Sequence, residues 1–112
     1  MSVIDRGVAH WSGTALPGEA GNLVLAGHRT TKTKPFFDLD KLKPGDLVFM
    51  TDGRGFEVMY RVSESFIVEP SDLWITYDSP TPTLTMFACH PKGSERYRIV
   101  VKADLVAGRQ IA

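Results

Sequence analysis

The feature that most limits this chain is its punctuation. Gly, Pro and Asp interrupt it so often that helical periodicity is poor nearly everywhere. Short β-rich runs lie between the interruptions. Val8 to Trp11, Asn22 to Ala26, Leu47 to Thr51, Phe56 to Val68, Thr83 to Cys89 and Tyr97 to Val106 read as strands. Ser12 to Gly21 contains Gly13, Pro17, Gly18 and Gly21 and reads as a loop. Lys43-Pro44-Gly45-Asp46 is a turn, and Asp52-Gly53-Arg54-Gly55 is a hairpin signal. Phe36 to Leu42 is expected to make one or two helical turns, and Pro70 to Leu73 a short capped turn. The long run from Phe56 is expected to bend near Ser63 to Ser65. Seven or eight short strands in 112 residues predict an all-β barrel or sandwich, built as one domain over residues 1–112.

Composition then removes several functions. Thirteen basic residues balance thirteen acidic ones, which argues against a nucleic-acid binder held by phosphate contacts. A single cysteine, Cys89, excludes an intramolecular disulfide framework and a Cys-rich zinc site. No stretch reaches the roughly 18 to 20 apolar residues that span a bilayer. Met1-Ser2-Val3-Ile4-Asp5-Arg6 does not read as a signal peptide. No spacing matches an EF-hand, a zincin helix or a zinc ribbon, and Gly53-Arg54-Gly55 lacks the following helix of a phosphate loop. Neither a metal nor a cofactor is expected.

Strand parity draws attention to the cysteine. Alternate residues of a strand face opposite sides. Leu84, Met86 and Ala88 form the natural core face, so Thr83, Thr85, Phe87 and Cys89 share the other. In the last strand Ile99, Val101 and Ala103 take the core side, which leaves Arg98, Val100 and Lys102 outside. A thiol is a good nucleophile only as thiolate, so a catalytic cysteine needs a nearby base or cation. His28 follows Gly27 at the end of a strand, and Arg98 begins the strand after Cys89. A guanidinium there can stabilise an oxyanion or hold a substrate carbonyl. His10 and His90 are rival bases, and Arg96 is a rival cation. The opposing interpretation is a non-catalytic β-barrel binding module in which Cys89 is a small buried hydrophobe.

Three segments together resemble the sortase family. Asn22-Leu23-Val24-Leu25-Ala26-Gly27-His28-Arg29 is similar to its histidine motif. Thr83-Leu84-Thr85-Met86-Phe87-Ala88-Cys89-His90-Pro91 is similar to its cysteine motif, and Arg98-Ile99-Val100-Val101 to its arginine strand, nine residues beyond the cysteine. The resemblance runs from about residue 7 to residue 106 and is most like class E, with classes D and F close behind. It implies a closed eight-stranded β-barrel with one or two short helical turns. It also implies a membrane-anchored cysteine transpeptidase at the extracellular face of the bacterial cell membrane, with its N-terminal anchor outside these residues. Such an enzyme cleaves a C-terminal sorting signal of the Leu-Pro-x-Thr-Gly or Leu-Ala-x-Thr-Gly kind between Thr and Gly. It passes the acyl group through a thioacyl intermediate to an amine on a cell-wall precursor or a pilin lysine. Carried onto this chain, Cys89 is the nucleophile, His28 the general acid/base and Arg98 the oxyanion or positioning residue. Arg29, Thr85, Phe87, Ala88 and His90 are expected near the substrate. The family usually has Thr before the cysteine. Ala88 stands there instead, which predicts altered selectivity or rate. His10 matches a recurring histidine expected to be structural or to line the groove.

Overall fold

The computed structural model describes the backbone of residues 2–5, 8–27, 39–51, 55–90 and 94–110, and side chains from residue 8 to residue 108 of these. Seven strands form one sheet: β1 (Ser2–Asp5), β2 (Val8–His10), β3 (Asn22–Gly27), β4 (Leu47–Thr51), β5 (Phe56–Val68), β6 (Thr83–His90) and β7 (Tyr97–Gln110). Two single-turn 3-10 helices, η1 (Leu39–Lys41) and η2 (Leu73–Thr76), interrupt the connections. The order across the sheet is β1-β2-β3-β6-β7-β5-β4. Every neighbouring pair is antiparallel except β3 with β6, which run parallel from Asn22 opposite Thr83 to Ala26 opposite Phe87.

Alternation in the sequence sorts the two faces. Leu23 and Leu25 of β3, Leu84, Met86 and Ala88 of β6, and Ile99, Val101 and Ala103 of β7 all join one interior cluster. Val58, Tyr60 and Val62 of β5 complete it, and η1 adds Leu39. The opposite face carries a smaller cluster of Val68, Ile75 and Val100, with Phe66 and Phe87 packed against it.

The sheet curls around the larger cluster. The Gly18 N–H, between β2 and β3, donates to the Tyr60 hydroxyl on β5 at 2.9 Å, although three steps separate β3 from β5 in the sheet. Gly18 has φ +82°, and a Cβ there would meet the Val58 side chain at 3.0 Å, so this approach requires glycine. Burial pushes the Tyr60 phenol pKa up, against the smaller opposite pull of that hydrogen bond.

Several sequence expectations take definite form. The register of β5 against β7 shifts between Val62 and Glu64, where the bend was expected, and again between Met59 and Tyr60. The 43–46 turn is closed by Asp46 N–H to Lys43 O at 3.0 Å, and Lys43 N–H donates to the Asp46 carboxylate at 2.8 Å. The helical turn expected at 36–42 appears as η1; the capped turn expected at 70–73 is present, closed by Asp72 N–H to Glu69 O at 3.0 Å and Glu69 N–H to the Asp72 carboxylate at 2.8 Å, and leads into η2 at Leu73–Thr76. β1 was not expected, and β7 runs to Gln110 rather than ending at Val106. The expected hairpin residues 52–54 lie outside the described residues. Among the described residues no helix is long and apolar enough to cross a membrane.

Candidate active site

The β6–β7 hairpin builds the centre of the site. Pairing runs from Thr83 opposite Asp104 to His90 opposite Tyr97, which sets Cys89 directly across from Arg98. Both residues fall on the face opposite the interior cluster, as parity requires, and both are half-buried. The Arg98 Nη1 donates to the carbonyls of Glu95 at 3.0 Å and Tyr97 at 3.1 Å. These bonds fold the guanidinium back along its own loop. Arg96 precedes the strand, is exposed, and lies over the Tyr97 ring with 5.4 Å to its centroid. Arg98, not Arg96, is therefore the residue in register with the cysteine.

A groove of about 180 Å³ opens beside Arg98. Trp11 and Phe87 line it, and their rings meet edge to face with centroids 5.6 Å apart. Leu73, Ile75 and Thr76 line it from the η2 side, and the acidic residues Glu69 and Asp72 also border it. An apolar floor with a guanidinium at one end suits an extended, mostly uncharged peptide whose carbonyl needs a donor. A larger hollow of about 250 Å³ between β4, β5 and β7 is lined by Phe49, Val58, Met59 and Gly108 among others, and by none of the expected site residues.

The remaining expected residues divide. Phe87 is in the groove, and His90 is half-buried at the end of β6, opposite Tyr97. The Ala88 methyl points into the interior cluster, so a substrate in the groove would meet only its backbone. Thr85 is 0% exposed, and its hydroxyl is engaged by Asn22 and Lys102, so it touches no groove. His28 and Arg29 lie outside the described residues. His10 is committed to structure. Its Nε2 sits 3.1 Å from Thr14 O and 2.9 Å from Ala15 O. Carbonyl oxygens only accept, so this nitrogen carries a proton. The arrangement pins the loop that leads to Trp11 and β3. Sequence reasoning missed Trp11, Leu73, Ile75 and Thr76. Only Trp11, at a strand end, carried a visible signal.

This face of the sheet belongs to a recognisable class. The sortase domain model matches residues 1–106, and the chain belongs to the sortase family. It is 31% identical to sortase E1 of Streptomyces coelicolor over 121 aligned positions, covering 96% of this chain and 34% of that protein. It is 30% identical to sortase D of Bacillus subtilis, covering 79% of this chain and 43% of that protein. The chain thus spans well under half the length of the curated relatives it matches. Among solved structures, sortase E1 of Streptomyces coelicolor with a tripeptide in its active site superposes with a TM-score of 0.86 at 28% identity, over 96% of this chain and 75% of that one. A sortase D5 transpeptidase of Clostridium perfringens gives 0.76 at 34% identity, over 89% and 62%. The match to sortase E1 favours class E, in agreement with the motifs.

Proposed function

We propose that the protein is a cysteine transpeptidase acting on a sorting signal of the Leu-Pro-x-Thr-Gly or Leu-Ala-x-Thr-Gly kind. The observation that carries this reading is the register of Cys89 against Arg98, off the apolar core and beside a groove. The Cys89 Sγ attacks the Thr carbonyl carbon, and the Arg98 guanidinium donates to the oxygen that gains charge. The C–N bond to Gly breaks, the departing amine takes a proton from His28, and a thioester remains on Cys89. An amine then attacks that thioester and gives a proton to His28; the C–S bond breaks, the acyl group leaves as a new amide, and the Cys89 thiolate beside protonated His28 is restored. Water in place of the amine makes the same site a hydrolase. The register of β3 supports the role of His28: the last pair is Ala26 with Phe87, and 28 and 89 each lie two residues further on.

In this reading the acceptor is a cell-wall precursor or a pilin lysine. A sortase C1 of a streptococcal pilus island shares the fold, with a TM-score of 0.81 at 30% identity. The enzyme works at the outer face of the bacterial membrane, held by an N-terminal anchor, and in the whole protein the sheet closes as an eight-stranded barrel. Arg29, Phe87, His90 and the backbone at Ala88 adjoin the bound peptide. The test is mass spectrometry of the protein incubated with a panel of sorting peptides. The expected result is an adduct on Cys89 equal to the peptide acyl fragment up to Thr, absent in Cys89→Ala. Turnover by Cys89→Ala, or failure of native Cys89 to react with both peptides and a thiol probe, would return the chain to the binding-module interpretation.

A further inference from the structure

One wall of the groove hangs on very little. η2 is four residues long, and its N-cap residue Asp72 makes no side-chain capping bond. Leu73, Trp74 and Tyr77 are exposed, with Tyr77 at 65%. Besides its own 3-10 bonds, the Leu73 N–H to Ser71 O bond at 2.9 Å, the Tyr77 N–H to Trp74 O bond at 3.1 Å and the Thr76 hydroxyl to Leu73 O bond at 2.8 Å close the turn locally. A single turn does not hold its own position, because nucleating a turn fixes many dihedrals for few bonds.

Ile75 docks it against Val68 and Val100, and Trp74 stacks on Phe66 at 5.6 Å, but its polar attachment is a side chain more than fifty residues away. Asn22, the first residue of β3, is 1% exposed. Its Nδ2 donates to Ile75 O at 3.0 Å and to Tyr77 O at 2.9 Å, and its backbone N–H donates to the Asp78 carboxylate at 3.1 Å. Its Oδ1 accepts from the Thr85 hydroxyl at 2.7 Å. Thr85 Oγ1 in turn accepts from Lys102 Nζ at 2.8 Å. Donation therefore runs one way across three strands, from β7 through β6 to β3 and out to the 75–77 backbone. Each donor fixes the orientation of the next acceptor, so the Asn22 amide cannot flip without orphaning buried partners. The neighbouring Gly21, at φ +104°, admits no side chain, since a Cβ would stand 2.6 Å from the Asp78 carboxylate.

We propose that the Lys102–Thr85–Asn22 chain is a positioning device for substrate: it sets the height of the 73–76 wall and thereby the fit of the peptide in the groove. Asn22 and Thr85 are positioning residues in this sense, since neither faces the groove. The proposal deepens the transpeptidase reading and rests on it for the identity of the ligand. It separates binding from chemistry, because the chain reaches the wall and not Cys89 or Arg98.

The test uses the whole protein with three variants, Thr85→Val, Thr85→Ser and Lys102→Met. Thr85→Val keeps the shape and removes the hydroxyl; Thr85→Ser keeps the hydroxyl. Expected for Thr85→Val is a KM for the sorting peptide raised about ten-fold, with kcat changed less than about two-fold. The rate of Cys89 alkylation by iodoacetamide should stay at the wild-type value. Thr85→Ser should restore KM, and Lys102→Met should shift it in the same direction as Thr85→Val. Amide hydrogen exchange over residues 72–78 should quicken in Thr85→Val and not in Thr85→Ser. An unchanged KM in folded Thr85→Val, or a fall in kcat at constant KM, overturns the proposal. If the wild-type protein turns over no peptide, it is the transpeptidase reading that fails, and exchange over 72–78 then decides alone whether the chain holds the wall.

Discussion

Two rows of the same sheet face put a small side chain opposite a basic one, and they end differently. Thr85 stands across from Lys102, and four residues along Cys89 stands across from Arg98. In the first row the cation reaches its partner: Lys102 Nζ lies 2.8 Å from the Thr85 hydroxyl, and Asn22 and the 75–77 backbone close over the pair. In the second row the guanidinium is held by the Glu95 and Tyr97 carbonyls beside a groove. The same local pattern makes a strut where it is covered and, in the transpeptidase reading, a reactive centre where it borders the groove. Chemistry on this face is decided by what packs over each row rather than by the strands.

The comparison can be broken most directly at the open row. Cys89→Ala should abolish peptide cleavage, followed by chromatography of the products, while the thermal midpoint stays close to that of the wild type. A collapse of the fold would show that the second row is structural as well. Next in size is Arg98→Lys. An ammonium lacks the guanidinium fork, so kcat/KM should fall on the order of a hundred-fold, about 2.7 kcal/mol of transition-state stabilisation. Retention of most activity would remove Arg98 from the chemistry.

The covered row should answer in stability. Thr85→Val removes the 2.7 Å donor to the Asn22 carbonyl, leaving it the longer 3.4 Å bond from the Thr83 hydroxyl, and removes the Lys102 ammonium's buried acceptor, so denaturant unfolding should show a loss of about 1–3 kcal/mol. No loss would mean that water or a shifted side chain replaces the hydroxyl easily. The smallest effect concerns pH. Burial holds the Lys102 pKa below its ordinary 10.5, more strongly than Glu64 and Asp104 pull it up. Between that lowered value and 10.5 the unfolded chain binds a proton that the folded chain does not, so folding stability rises with pH across this window. Measured against Lys102→Met, in which Tyr60 titrates alike, the wild type should gain stability as pH approaches 10.5. Parallel curves for the two proteins would refute the burial account.

What could be read in the residues, and what could not, follows the same division. Parity in Thr83–His90 and in Tyr97 to Val101 assigned the faces correctly, because a residue's side of a strand is a local property. The register shift between Val62 and Glu64 falls where a bend was expected. Thr85 was expected near substrate because parity names a face without naming its cover. The cover, η2 and the Asn22 amide, comes from other parts of the chain. β7 was expected to end at Val106, yet it runs on through Gly108, which does not end it. Gly108 marks a close approach instead: a Cβ there would lie 2.8 Å from the Phe56 ring on the neighbouring strand. β1 has only four residues, with Val3 and Ile4 adjacent rather than alternating, and its strand state comes from pairing with β2.

The position of β7 has a consequence for how the molecule is made. It lies between β6 and β5, and among the described residues no other strand joins the β1-β2-β3-β6 side of the sheet to the β5-β4 side. The ribosome therefore releases the joining strand after the other six described strands. Until it emerges the nascent protein holds two separate ribbons, each with an exposed edge waiting for the same partner. Pairing at such sequence distance is slow to form. Arrested chains that stop short of Tyr97 should be cut readily by protease on both sides of the future joint, and chains that have released Gln110 should become resistant throughout the sheet at once. Since β7 also carries Arg98, the proposed active centre comes together in the same event that joins the two ribbons.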